Sequence, residues 1–356
     1  MANSYYQTIT KPKLYVSYPL WQYANGALDS LARSFDVSDE DMIRMIQLDP
    51  SRITKLNPIG GTNLQYNILP QADDFTDVID SGLWNFDFMG ILGHNLASAG
   101  ASPVISASSS DSYTEISTTN IVNHNPNGVP EYDGWSLFDL NDKPNGSQSN
   151  FNIDFISEGE AFNELPLLVG SLIWGKSFTF PQNADLSETI TTDYGVKQKQ
   201  TISGKTISTA NWTKVNNWIT EPFGLTEPFG ERGDNFQRRS GRRSWNISFD
   251  SLAPSKVMNQ LMMMNSNGWN PSGEIVDNYS YGADGKSLYN INNAVDFYTN
   301  VVHRTMGGHL PMMLQIDADD TSPQNFAIVR LSGNSLQITQ KTPNLYNIKL
   351  KLTEQI

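Results

Sequence analysis

Cysteine is absent from the 356-residue chain, which excludes a disulfide framework, a thiolate metal site and a cysteine nucleophile. Basic charge is scarce, and the net charge of -13 argues against a general nucleic-acid binder, which needs a basic surface to displace counterions from phosphate. No apolar run approaches the roughly 18 residues of a membrane span. The N-terminus lacks the apolar core of about 7–15 residues typical of a signal peptide. We therefore expect a protein made in a cytoplasm, with no membrane and no nucleic acid as partner.

The residues that are present indicate a globular, β-rich chain. Hydrophobic residues make up 38%, enough for packed cores, whereas charged residues make up only 17% and Asn, Ser, Thr and Gly are abundant. The predicted fold class is mainly β with an α+β C-terminal part. It consists of a jelly-roll-like β-sandwich followed by an α+β domain with two helices and a terminal strand meander.

Three segments are predicted. Residues 1–59 form an N-terminal arm and a short helix: the aromatic stretch 13–26 is interrupted by Pro19 and indicates an extended arm or edge strand. Ser38 precedes acidic residues and an apolar stripe, which predicts a capped helix. Residues 60–185, in which short apolar runs alternate with polar loops, form the sandwich.

Residues 186–356 form the α+β domain. The stretch "SWNISF" alternates apolar and polar residues, and so does "NLYNIKLKLTE" at the end of the chain, which predicts strands with one buried face. Apolar residues at helical spacing predict one helix that starts at Pro254 and a second over residues 291–302, ended by "MGGH".

His94 is the residue that most invites a catalytic or metal interpretation, because it interrupts the apolar stretch "NFDFMGILGHNL". The other histidines, His124, His303 and His309, have dissimilar contexts, and no pair has the spacing of a familiar zinc site. We expect that Gly93 supplies a permissive backbone conformation and that His94 and Asn95 hydrogen-bond the backbone at a tight strand end. No catalytic residue, metal ligand or cofactor is predicted.

Acidic residues cluster at Asp317, Asp319 and Asp320, but Ser322 and Ile328 stand where a calcium-binding EF-hand requires Gly and Glu. A solvated acidic turn is the favoured interpretation, and an ion site of another type is the alternative. No nucleophile elbow, phosphate-binding loop or dinucleotide fingerprint is present. A pair of carboxylates for glycoside hydrolysis would have to meet in space, and nothing marks such a pair.

Arginines cluster in the stretch "ERGDNFQRRSGRRSW" of this acidic chain, at Arg232, Arg238, Arg239, Arg242 and Arg243. A local basic patch binds phosphate, nucleic acid or the acidic surface of a partner subunit. Because the overall charge opposes nucleic acid, we favour a protein interface.

Two aromatic residues in a predicted loop, Tyr132 and Trp135, are candidates for stacking on a sugar ring. Aromatic residues in such positions also cover cores and interfaces.

Several motifs carry a resemblance when taken in order. They are Trp245 in "RRSGRRSWNISFDSL", the turn Gly307-Gly308-His309-Leu310-Pro311, an acidic loop before Phe326-Ala327, and Tyr346-Asn347 in the last strand. With them the chain resembles virion structural proteins of tailed bacteriophages, especially those of marine and aquatic hosts. The stretches "FMGILGHNLASAGA" and "VGSLIWGKSFTFPQNADLS" are similar to the jelly-roll, discoidin-like part of such proteins. The similar stretches cover residues 84–102, 167–187 and 240–353, about half of the chain.

The resemblance implies a non-enzymatic building block of a phage tail, at the baseplate or distal tip, that acts as an assembly platform in the virion. Its partners would be other tail or baseplate proteins and further copies of the chain in a symmetric ring. The alternatives are a receptor-binding or fibre-adaptor protein that recognises host-surface glycan through the sandwich, and a head decoration protein.

Overall fold

The computed structural model describes part of the chain. The described residues are 10–24, 30–33, 38–50, 52–56, 63–69, 87–108, 113–115, 118–123, 130–131, 133–140, 150–157, 166–186, 188–210, 241–258, 268–269, 275–276, 296–322, 325–332 and 336–355. Strands dominate these residues, so the predicted mainly β fold with a few helices is confirmed.

The strands are numbered β1 to β22 in chain order. Eleven form one large antiparallel sheet: β1 (Lys13–Ser17), β5 (Phe88–His94), β8 (Thr118–Val122), β9 (Gly134–Leu140), β12 (Ser171–Thr179), β13 (Thr189–Asp193), β16 (Arg242–Leu252), β19 (Met312–Gln315), β20 (Phe326–Leu331), β21 (Gln337–Thr342) and β22 (Leu345–Glu354). Five form a second sheet: β2 (Ser30–Arg33), β4 (Asn63–Leu69), β6 (Ala101–Ser108), β7 (Tyr113–Glu115) and β10 (Asn150–Ser157).

Six further strands make two-stranded sheets, which pair β3 (Thr54–Leu56) with β11 (Leu167–Val169), β14 (Val196–Gln200) with β15 (Thr206–Ala210), and β17 (Gly268–Trp269) with β18 (Ile275–Val276). The described helices are short: α1 (Tyr18–Ala24), α2 (Asp39–Ile46), α3 (Leu96–Ala99), α4 (Pro254–Val257) and a π-helix (Tyr298–His303). Helix α2 begins where predicted, since the Ser38 hydroxyl accepts a hydrogen bond from the Asp41 amide.

Strand β1 lies inside the large sheet, in the order β13-β16-β22-β20-β19-β1-β12-β5-β9-β8. It pairs antiparallel with β12 on one side and with β19 on the other, and Leu14–Ser17 are all buried. The expectation of an edge strand or extended arm is therefore wrong for residues 13–17. Pro19 does not break this strand, because it lies in the first turn of α1, where a missing N–H is tolerated. Strands from all three predicted segments share this sheet.

Strands β12, β5 and β9 of the large sheet pack against the second sheet, and together they form a two-layer β structure. Their shared core is a cluster of buried side chains that both sheets supply, including Met89, Ile91 and Trp174 from the large sheet and Ile153 and Phe155 from the second. Alternate residues of one strand face opposite sides of a sheet. Accordingly, Ile173 of β12 packs in a different cluster from its neighbour Trp174.

The large sheet is strongly curved. Trp135 of β9 and Phe326 of β20 are separated by four intervening strands, which would place the two strands about 24 Å apart in a flat sheet. Their ring centroids nevertheless lie 4.8 Å apart. The concave face therefore closes around a core that strands from both halves of the chain supply, and this core includes Tyr15, Leu137 and Met313.

In the C-terminal half the predicted strands are confirmed, whereas the helices differ from those predicted. Trp245, Ile247 and Phe249 are buried in β16, and Ile348 and the alternate residues after it are buried in β22, as their patterns indicate. The helix from Pro254 is a single turn that ends at Val257, because Met258 is already extended, so the longer predicted helix is wrong at this point. The second helix is described as the π-helix from Tyr298. Residues 259–267 and 277–295 lie outside the described residues.

Candidate assembly interface

His94 closes β5 and is completely buried beside Ser136 of β9, with its Nε2 atom 2.8 Å from the Ser136 hydroxyl oxygen. Such a pair resembles the base and nucleophile of a hydrolase. The Leu96 amide, however, donates a hydrogen bond to His94 Nδ1 over 3.3 Å. Nδ1 is thus the acceptor of the neutral ring, and Nε2 carries the proton and donates to Ser136. In this tautomer the ring has no lone pair directed at the hydroxyl.

Burial reinforces the structural role of this histidine. Desolvation lowers the pKa of His94 from 6.5 to about 3, because burial disfavours the charged imidazolium. A general base works best with a pKa near the operating pH. The His94–Ser136 pair is therefore a neutral hydrogen bond that joins β5 to β9.

The residues on either side of His94 confirm the expectation of a tight strand end. Gly93 has φ of +68°, and a Cβ atom there would lie 2.6 Å from the Pro50 carbonyl oxygen. The Asn95 side chain accepts a hydrogen bond from the Leu168 amide at 2.7 Å and donates one to the Pro166 carbonyl at 3.0 Å. Asn95 thereby clamps the end of β5 to the start of β11.

The acidic cluster near residue 317 forms a turn in which carboxylates accept hydrogen bonds from the backbone. Asp317 accepts a hydrogen bond from the Asp319 amide at 3.0 Å, and Asp320 accepts one from the Ser322 amide at 2.8 Å. The hydrogen bonds from Ser322 lower the pKa of Asp320. Within the described ranges, no group of three or more His, Asp or Glu side chains is placed to hold a metal ion.

The two candidate sugar-stacking residues have different outcomes. Trp135 is only 1% exposed and packs edge-on against Phe326. The expectation that Trp135 contacts a glycan is therefore corrected, because its ring faces are covered by the core. Tyr132 lies outside the described residues.

The candidate arginine interface is only partly described, since Arg232, Arg238 and Arg239 lie outside the described residues. Arg243 forms a bidentate ion pair with the buried carboxylate of Glu354, at 2.7 and 3.0 Å, and its guanidinium lies 5.1 Å from the Trp245 ring. This charge is engaged within the chain, which corrects the assignment of Arg243 to an intermolecular contact. Arg242 is exposed, and its Nε atom donates to the Glu354 backbone carbonyl.

A different surface has the composition of an interface. Ten large hydrophobic side chains are exposed among the described residues, and six of them fall between residues 186 and 207. They are Leu186, Ile190, Tyr194, Val196, Ile202 and Ile207. Exposed apolar residues that are scattered singly need no explanation, whereas a concentration of them marks a contact surface. This concentration makes the segment the strongest candidate interface of the described chain.

The centre of this segment is the β14–β15 pair, residues 196–210, which we call the hairpin. Among the described strands, β14 and β15 pair only with each other, and the side chains of residues 196–200 and 202–209 are exposed. An isolated two-stranded hairpin is at best marginally stable in water. A partner surface would bury the apolar side chains and stabilise the pair.

The tip of the hairpin is held by a compact hydrogen-bond set. The Thr201 amide donates to the Lys205 carbonyl at 2.8 Å, and the Thr201 hydroxyl accepts from the Lys205 amide at 3.0 Å. Gly204 adopts φ of +82° and donates to the Thr201 carbonyl. Ile202 is fully exposed within this turn. A turn closed in this way presents Ile202 in a defined position, which lowers the entropy cost of docking.

The hairpin is basic although the chain is acidic. It carries Lys197, Lys199 and Lys205 and has no Asp or Glu, while the whole chain has a net charge of -13. In the strand register Lys199 lies opposite Ile207 and Lys197 opposite Thr209. One face of the hairpin therefore combines positive charge with an aliphatic side chain, a combination suited to an acidic protein surface.

The described helices are too short to cross a membrane. The longest, α2, has eight residues, and none of the described helices has the length and apolarity of a membrane span.

Comparison of the chain with models of known protein families, with curated proteins and with solved structures gives no match.

Proposed function

We propose that this chain is a non-enzymatic structural component of a bacteriophage tail, at the baseplate or distal tip, where it acts as an assembly platform. The observation that carries the proposal is the hairpin. It combines exposed aliphatic side chains, a closed turn and positive charge, and it lacks pairing to other described strands. A subunit that works by contact with neighbours needs such a surface.

The motifs that resemble tail proteins support the phage assignment because they lie in one contiguous part of the fold. Trp245 is in β16, Tyr346-Asn347 in β22 and Phe326-Ala327 in β20, and these three strands are consecutive neighbours in the large sheet. The turn at Gly307-Gly308 leads into β19, the next strand. Segments far apart in sequence thus build a single unit, as expected for a docking platform on a rigid scaffold.

The non-enzymatic part of the proposal is supported by the tautomer of His94, which donates to Ser136 instead of accepting its proton. The alternative of a glycan-recognising protein loses one of its two candidate residues, since Trp135 belongs to the core.

Gold-labelled electron microscopy of the phage particle, with an antibody raised against this chain, tests the proposal. We expect label clustered at the end of the tail. Label on the capsid would make the chain a head decoration protein, and particles without label would contradict a structural role in the virion.

A further inference from the structure

The same chain contains a groove that suits the hairpin tip. The groove has a volume of about 460 Å³ and lies between α1, the residues that follow α2, residues 309–311 before β19, and strand β20. Its lining includes Leu20, Leu48, Leu310, Pro311 and Ile328. These residues form an apolar floor with room for a branched aliphatic side chain, and polar residues such as Gln47 and Gln355 complete the lining.

The charges at the rim of the groove are held within the chain. Arg52 pairs with Asp49 at 3.0 Å, and Arg330 donates a hydrogen bond to the His309 carbonyl. A side chain that enters the groove lies beside both guanidinium groups. The exposed ring of Tyr23 also lines the groove and extends its apolar surface.

The distance from Ile202 to the lysines of the hairpin matches the distance from the groove to the acidic residues of α2. Helix α2 ends beside the groove, and its first turn carries Asp39, Glu40 and Asp41, of which Glu40 and Asp41 share the single basic residue Arg44, so the turn keeps a net negative charge. Eight helical residues place these acids about 12 Å from the groove. Lys199 and Lys197 precede Ile202 by three and five residues, which corresponds to about 10–17 Å along a strand. A hairpin whose tip occupies the groove can therefore bring its lysines to the acidic turn.

From these observations we propose that the hairpin of one copy docks on a second copy of this chain, with Ile202 in the apolar groove and Lys197 and Lys199 beside the acidic first turn of α2. This inference deepens the proposed function and rests on it for its biological setting. The contact joins two different surfaces, so repeating it in one direction produces a closed ring or an open filament, whereas reciprocal exchange of hairpins between two copies produces a twofold dimer.

The absence of cysteine allows a direct test on the full chain. In the variant Ser203→Cys, which keeps Ile202 and changes an exposed neighbour in the same turn, a photoreactive maleimide attached to the only thiol cross-links whatever lies within its reach. We expect cross-linked oligomers on illumination, with cross-linked peptides from the groove around Leu48 and Leu310. Cross-links confined to other surfaces, or an absence of oligomers, would overturn the proposed contact.

Sedimentation of the unlabelled chain over a wide concentration range measures the strength of the contact. The wild type is expected to self-associate, and Ile202→Ser is expected to weaken association about tenfold or more, as for a central anchor residue. Leu345→Ser is the control, because Leu345 is also exposed but is the first residue of β22 and belongs neither to the hairpin nor to the lining of the groove. A monomeric wild type, or equal association of the two variants, would contradict the inference.

A charge exchange tests the orientation. Replacing Lys197 and Lys199 by Glu is expected to weaken association, and adding Asp39→Lys and Glu40→Lys is expected to restore it at low salt. Failure to restore it would exclude the α2 surface. All of these outcomes are independent of where gold label falls on the phage particle, so failure of this contact is distinguishable from failure of the proposed function.

Discussion

The indole of Trp135 meets the ring of Phe326 edge-on, with centroids 4.8 Å apart and ring planes at 68°. Trp135 belongs to β9 and Phe326 to β20, so this contact joins strands from the two halves of the chain. Edge-to-face aromatic pairs contribute about 0.5–1.5 kcal/mol beyond the burial of their surface. The contact therefore holds the curvature of the large sheet.

We predict an energetic coupling of about 1 kcal/mol between these two residues. Urea denaturation of Trp135→Leu, Phe326→Leu and the double variant measures this coupling. It is the difference between the stability lost in the double variant and the sum of the two single losses. The pair Trp135→Leu and Leu345→Ala is the control, since the exposed Leu345 should be additive within about 0.5 kcal/mol. Additivity in both pairs would contradict the curved sheet.

The ion pair between Arg243 and Glu354 gives a second prediction. Removing Arg243 leaves the buried Glu354 carboxylate without its bidentate partner, so we expect Arg243→Ser to lower the free energy of unfolding by about 3 kcal/mol. Arg242→Ser should cost about 1 kcal/mol or less, because the Arg242 side chain is exposed and donates to a backbone carbonyl that β-sheet geometry already positions. Chemical denaturation of the two variants checks the difference, and equal losses would refute the structural role of Arg243.

Local sequence patterns predicted two kinds of element: helices whose ends are capped by neighbouring residues, and strands that bury only one face. The Ser38 cap and the acidic first turn mark α2, and alternation along Trp245, Ile247 and Phe249 marks β16, because burial of one sheet face leaves a period of two in the sequence. The strand end at Gly93 was recognisable since a positive φ in an apolar run favours glycine.

Long-range pairing had no such signal. Strand β1 is central because it fits between β12 and β19, and Tyr15 donates its hydroxyl hydrogen bond to Gln315, which is 300 residues away. Five residues such as "KLYVS" look the same at an edge and in the middle of a sheet. For the same reason, a loop position and a core position were indistinguishable for Trp135.

The hairpin was missed because exposed and buried isoleucines are identical in a sequence. The residues Thr201, Ser203 and Gly204 do carry a turn signal between two strand-like runs, and the absence of acids over residues 196–210 distinguishes the segment from the rest of this acidic chain. These two signals together would have identified the hairpin, although only the structure shows that its apolar residues are uncovered.

Two glycines with positive φ provide a matched pair of variants. A Cβ at Gly93 would approach the Pro50 carbonyl oxygen to 2.6 Å, whereas a Cβ at Gly204 would meet no atom within 4 Å. Both substitutions by Ala incur the backbone cost of the left-handed region, about 1–2 kcal/mol. We expect Gly93→Ala to cost at least about 2 kcal/mol more than Gly204→Ala in denaturant unfolding. Similar losses would show that the Pro50 loop can move away from β5.

The last prediction concerns the pH dependence of stability at His94. In the unfolded chain a histidine has a pKa near 6.5, whereas burial holds the pKa of His94 at about 3 in the folded protein. Above pH 7 neither state binds a proton at this ring, so His94 contributes no pH dependence there. Between about pH 6.5 and pH 3 only the unfolded state is protonated, and the free energy of unfolding decreases by about 1.4 kcal/mol per pH unit.

We therefore expect the wild type to lose about 2 kcal/mol more stability than His94→Asn between pH 7 and pH 5, measured by urea denaturation at each pH. At pH 7 the variant itself should be less stable by about 1–3 kcal/mol, because Asn cannot make both hydrogen bonds of the imidazole. His309→Asn, which removes an exposed histidine, is the matched control variant. Parallel profiles for the wild type and His94→Asn would mean that His94 is accessible to protons in the folded protein, which would reopen a chemical role for its contact with Ser136.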